Sequence, residues 1–103
     1  MASNNSLNVT CKHRCNITRD NLLNQAEIKF TSCKHNCNVV RDNGLANCEK
    51  RNCSNRVVCE NNVLTNYNNC RQSCSRQLRI RENAIINQIY RLCRQNCNSR
   101  FCV

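Results

Sequence analysis

The sequence predicts an all-α protein, a small disulfide-rich assembly of helical hairpins with about four main helices and one short one. Three observations point there. The 103 residues include no proline and a single glycine, so the usual helix breakers are absent. Apolar residues recur at steps of three and four, the period of one helix face. Twelve cysteines, far above ordinary usage, fall mostly into Cys-x3-Cys pairs, a spacing that puts both side chains on one helix face.

The elements follow in order. Leu7, Cys11 and Cys15 mark a first helix over 6–19, closed by Thr18-Arg-Asp-Asn21. Leu22, Ala26, Phe30, Cys33 and Cys37 step by 4, 4, 3 and 4, predicting a second helix over 22–40. It ends in Val40-Arg-Asp-Asn-Gly44; Asp and Asn are good caps, and Asn-Gly is a turn signal. A short helix over 45–52 carries Cys48, and Ser54 or Asn55 caps the next. Cys59, Val63, Tyr67, Cys70, Cys74 and Leu78 predict a helix over 56–80. Arg81-Glu-Asn83 breaks it, and Ile86, Ile89 (or Tyr90), Cys93 and Cys97 define a last helix over 84–99.

The chain repeats itself. Cys11-Lys-His-Arg-Cys15-Asn returns as Cys33-Lys-His-Asn-Cys37-Asn, and again as Cys70-Arg-Gln-Ser-Cys74-Ser and Cys93-Arg-Gln-Asn-Cys97-Asn. A stretched copy runs from Cys48 to Cys53. We read a single domain over 1–103 with pseudo-repeats 6–53 and 54–103.

A mean hydropathy of −0.70 and 4% aromatics leave few ordinary core formers, and a chain of this length usually needs cross-links, a metal or a partner. Two antiparallel helices, each with a Cys-x3-Cys pair, can join as a two-rung ladder. If sequence neighbours pair, Cys11 bonds Cys37 and Cys15 bonds Cys33, and likewise Cys70 bonds Cys97 and Cys74 bonds Cys93. Cys48, Cys53, Cys59 and Cys102 are then left to pair among themselves. The turn chemistry favours this more in the second hairpin, where Glu82-Asn83 is nearly central, than in the first. Spacing alone leaves connectivity open, with roughly ten thousand ways to pair twelve cysteines.

The twin Cys-x3-Cys pairs of Cys11–Cys37 and Cys70–Cys97 resemble the twin CX3C family, the small translocase chaperones of the mitochondrial intermembrane space. They are also similar in architecture to the related coiled-coil-helix proteins. The resemblance implies disulfide-stapled hairpins, no presequence, and oxidation after import. This chain departs by placing two hairpins in tandem, with slightly longer spacers and four additional cysteines.

Zinc is the chemical rival to disulfides, since Cys11, His13, Cys15, Cys33, His35 and Cys37 are all ligand types. Structural zinc sites, however, favour Cys-x2-Cys knuckles, and a histidine two residues on projects away from the cysteine face. We expect no metal, no cofactor and no catalytic site. No Cys-x-x-Cys redox pair occurs, and the six acidic residues form no acid–base couple. Asp20 and Asp42 read as caps or turn formers, and Ile85-Ile86 with Ile89-Tyr90 as core. Asn-x-Ser/Thr sequons at Asn4, Asn8, Asn16 and Asn52 are read as chance matches in an Asn-rich chain.

The net charge is +10, spread along the chain. It admits an acidic protein or nucleic acid as partner, while the scarcity of aromatics argues against base stacking. The expectation is a non-enzymatic structural or assembly protein binding other proteins or itself, such as a minor virion component or cement protein. The alternatives are an intermembrane-space assembly factor and a zinc-stabilised nucleic-acid-binding module. The cysteines call for an oxidising environment. No signal peptide or membrane span is visible, which favours a virion or the intermembrane space over a secreted mature fragment.

Overall fold

The computed structural model describes residues 3–101. Helix α1 runs without interruption over Asn4–Cys48, and helix α2 over Cys53–Ala84. A π-helical segment, Ile85–Tyr90, then leads directly into helix α3, Arg91–Arg100. There is no strand among the described residues. The all-α, disulfide-rich reading holds, but two long helices replace the expected four plus one.

The expected breaks at Asp20-Asn21 and Asn43-Gly44 are not breaks. Both lie inside α1, where Asp20, Asn21, Asp42 and Asn43 are simply exposed. Asp20 accepts a hydrogen bond from Arg19 Nε at 2.9 Å, and Asp42 one from Arg41 Nε at 3.0 Å. Neither carboxylate caps a helix. Gly44 does not take a positive φ, so it is not a turn former. Its role is close packing: a Cβ built there would lie 2.9 Å from Val63 Cγ2, so the glycine lets α2 approach. Asn83 likewise sits within α2 rather than starting a helix.

The true turn is Glu49–Asn52. Asn52 caps α2, its Oδ1 accepting the Asn55 backbone N–H at 3.1 Å, a role expected of Ser54 or Asn55. Arg56 Nη2 donates to the carbonyls of Glu49 and Arg51, both at 3.3 Å, tying the loop to the first turn of α2. Ser3 caps α1 in the same manner, with its Oγ accepting from Ser6 N at 3.1 Å.

The residues form two compact units, a terminal one (1–27 with 79–103) and a central one (28–78). The expected division at 53/54 falls inside the central unit, at the start of α2. In the central unit the end of α1 packs against the start of α2. In the terminal unit the start of α1 packs against the end of α2, the π segment and α3.

Burial along α1 is periodic. Cys15, Ala26, Cys37 and Cys48 are buried and recur every 11 residues. Eleven residues in three turns is about 3.67 per turn, close to the 3.6 of an undistorted α-helix, so the buried line drifts little. Cys59, Val63, Tyr67, Cys70, Cys74 and Leu78 all lie at least partly in the seam, as their spacing predicts. The next buried residue is Ile85, not Ile86, which is 44% exposed; Ile89 is exposed as well. The following seam residue, Tyr90, comes five positions after Ile85. A π turn holds one more residue than an α turn, and this is where the surplus is absorbed. The same surplus shows in the sequence: 22 residues separate Cys11 from Cys33, and 23 separate Cys70 from Cys93.

The core is therefore made of sulfur. Among the described residues, the five side chains less than 2% exposed are Cys15, Cys37, Cys48, Cys74 and Cys97. Ala26 and Ile85 are the other buried apolar residues. In the chain-entropy account, each disulfide contributes roughly 3–5 kcal/mol, although nested loops do not simply add.

Candidate functional site

The geometry is dominated by two disulfide ladders, one per unit. In the terminal unit Cys11 bonds Cys97 and Cys15 bonds Cys93, with Cα separations of 5.7 and 5.9 Å. In the central unit Cys33 bonds Cys74 and Cys37 bonds Cys70, both at 5.8 Å. A fifth bond, Cys48–Cys59, closes the hairpin end of the central unit. Each ladder has the expected antiparallel form, one Cys-x3-Cys facing another, but the partners differ.

The pairings Cys11–Cys37, Cys15–Cys33, Cys70–Cys97 and Cys74–Cys93 are all corrected. They require a turn between Cys15 and Cys33, and a second between Cys74 and Cys93. No turn exists at either place: Cys11 and Cys37, and Cys15 and Cys33, lie on one continuous helix, about seven and five turns apart, far beyond disulfide reach. Cys48 and Cys59 do pair within the leftover set. Cys53 does not: as the first residue of α2 it is an exposed free thiol, and Cys48 is already bonded across the hairpin. Cys102 lies outside the described residues.

One turn from each ladder sits a second duplicated cluster. Tyr67 donates its hydroxyl hydrogen to Asn38 Oδ1 at 3.1 Å and accepts from Arg71 Nη1 at 2.8 Å. The Arg41 guanidinium stacks 4.6 Å from the Tyr67 ring centre. In the terminal unit, Tyr90 donates to Asn16 Oδ1 at 2.8 Å and accepts from Arg94 Nη1 at 3.0 Å, with Arg19 stacked at 4.7 Å. Donation of hydrogen bonds to Asp20 and Asp42, opposed by partial desolvation, raises the Arg19 and Arg41 guanidinium pKa values above their ordinary value. Both stay charged.

These clusters escaped the sequence reading, yet the signal was present. Tyr-x2-Cys-Arg-Gln-x-Cys occurs at 67–74 and again at 90–97, and Cys-Asn-x2-Arg-Asp-Asn at 15–21 and 37–43. Each tyrosine pegs the two helices of its unit through a cross-helix hydrogen bond and a cation–π contact. Asn16, itself in a sequon, is engaged through its side-chain oxygen, and the amide of Asn8, in another, donates to Asn98 Oδ1 and the Phe101 carbonyl, both at 3.3 Å.

Sulfurs of Cys15, Cys93 and Cys97, and of Cys33, Cys37 and Cys74, lie close enough to share an ion. All six are half-cystines, and a disulfide sulfur carries no thiolate for zinc. His13 and His35 are exposed and stand outside both groups. Among the described residues, no helix is long and apolar enough to cross a membrane. No family model matches this chain, and neither do any of the curated proteins or solved structures compared with it.

Proposed function

We propose that this chain is a non-enzymatic structural or assembly protein: a rigid, basic, disulfide-stapled helical piece that binds protein, either itself or an acidic partner. The observation that carries this reading is the duplication. Each unit presents eight basic against three acidic residues around the same ladder-and-tyrosine frame. Two equal basic units on a cross-linked frame suit bridging between acidic surfaces. Five disulfides are consistent with an oxidising environment. Within that class, a minor virion component or cement protein is our first choice.

An intermembrane-space assembly factor is the second reading. It is favoured by one observation: each unit has one Cys-x3-Cys on each of two antiparallel helices, with nested bonds.

Sedimentation velocity of the oxidised protein, across 50–200 mM salt and with an acidic polypeptide, separates protein binding from nucleic-acid binding when a DNA duplex is titrated in parallel. Self-association or a polypeptide complex that persists at the higher salt is the expected result. Duplex affinity should be no better than the non-specific range of about 10⁻⁴–10⁻⁶ M. Tight duplex binding, falling steeply with salt, with no protein complex would replace this reading with a nucleic-acid module.

A further inference from the structure

The terminal unit holds a cleft of about 290 Å³. Leu7 and Phe101 form its apolar walls, Cys11 and Cys93 contribute one residue from each disulfide rung, and Arg14, Arg100 and Thr10 complete the lining. The Arg100 guanidinium lies 5.3 Å from the Phe101 ring centre, placing its charge against the aromatic wall. Neither Arg14 nor Arg100 forms an ion pair or a side-chain hydrogen bond among the described residues. Asn8 ties the Phe101 backbone to α1, its amide donating to the Phe101 carbonyl and to Asn98 Oδ1 while its own Oδ1 is buried without a partner among the described residues.

The internal duplication acts as a control. Shifted by 22 residues on the outgoing helix and 23 on the return, the central unit has Lys29 for Leu7, Asn36 for Arg14, Gln77 for Arg100 and Leu78 for Phe101. The same ladder is thus built without the two arginines and without the aromatic wall. Their presence in one copy is not a requirement of the disulfide frame.

We infer that this cleft binds a small anionic amphiphile, with a carboxylate head held by Arg14 and Arg100 and an apolar body laid along Leu7, Phe101 and the disulfide rungs. Two guanidiniums suit a carboxylate, which accepts paired N–H donors. Thr10 already donates its hydroxyl to the Ser6 carbonyl at 3.1 Å, so its remaining capacity is that of an acceptor and the arginines supply the anion contacts. The volume sits at the bottom of the ligand-pocket range, about 300 Å³, which favours a single short chain over a nucleotide. This site is separate from the assembly role and does not depend on it.

Calorimetric titration of the oxidised protein with decanoate below its micellar concentration tests the inference, with decanol and inorganic phosphate as parallel ligands. One decanoate per chain is expected, with amide NMR shifts confined to residues near 7–14 and 93–101. Arg14→Gln with Arg100→Gln should weaken binding on the order of tenfold or more. Lys29→Gln with Arg76→Gln, which removes the same charge from the central unit, should leave it unchanged. An equal loss in both variants would mean attraction to overall charge and would overturn the site. So would phosphate binding as well as decanoate, or decanoate failing to bind a protein whose disulfides and helicity are intact.

Discussion

Reduction of the disulfides is expected to unfold the protein: helical ellipticity at 222 nm should fall to a small residue and the cooperative thermal transition should vanish. The reason is the composition of the core. Beyond the half-cystines, the buried apolar residues described are Ala26 and Ile85 alone. Hydrophobic burial on that scale cannot offset the entropy of ordering two long helices. Both helices are also rich in Asn, Ser and Thr, which have modest helix propensity. The loops differ in size, from 11 residues for Cys48–Cys59 to 86 for Cys11–Cys97. Replacing Cys37 and Cys70 by serine should cost more than replacing Cys48 and Cys59, because the pairs are similarly buried but the first closes a separation of 33 residues against 11. Retention of most ellipticity after full reduction would show that the seam alone suffices.

The second large effect separates two one-residue deletions. Removing exposed Asn87 from the π segment changes the step from Ile85 to Tyr90 from five to four, restoring α-periodicity. The terminal unit then has matched helices, and all five disulfides should form with stability unchanged or improved. Removing exposed Asn21 from α1 instead rotates Ala26 by about 100° relative to Cys15, taking it out of the seam. That variant should lose about 2 kcal/mol or more and oxidise to mixed isomers. Thermal melts and non-reducing chromatography of the two variants check this; equal damage from both would mean the π turn is not where the surplus residue is taken up.

Much of this was legible in the residues. The stripes Leu22–Cys37 and Cys59–Leu78 predicted the buried faces, because a three-four period admits one helical phase. The antiparallel ladders followed from Cys-x3-Cys in the same way. What misled was local chemistry at Asp20-Asn21 and Asn43-Gly44. These residues favour turns, but their propensity is worth about 1 kcal/mol, less than one cross-link that needs the helix to continue. Gly44 signals a turn by its conformational freedom, whereas its use is smallness against Val63. The stronger clue lies in the intervals: the Cys-x3-Cys copies are 22 apart along α1 but 23 apart from α2 to α3. The odd residue then predicts an irregular turn in the return arm. Nothing in local periodicity distinguishes Ile85 from Ile86, since the π turn shifts the phase between them. The tyrosine clusters are not legible in the stripes, because Tyr67 and Tyr90 read there as seam residues and Asn16, Arg19, Asn38 and Arg41 meet them only across the helix pair.

A disulfide map tests the central claim most directly, and the chain is well suited to it. Lys12 and Arg14, Lys34, Arg71 and Arg94 each lie inside a Cys-x3-Cys pair, so trypsin separates the ladder cysteines from one another, and a glutamate-specific protease cutting after Glu60 separates Cys59 from Cys70. Under non-reducing conditions at acidic pH after digestion, cross-linked peptides should join Cys11 to Cys97, Cys15 to Cys93, Cys33 to Cys74, Cys37 to Cys70 and Cys48 to Cys59. Cys53 should be alkylated in the intact protein without prior reduction. Peptides joining Cys11 to Cys37 and Cys70 to Cys97 would contradict the account, because they require the two tandem hairpins that an unbroken α1 forbids.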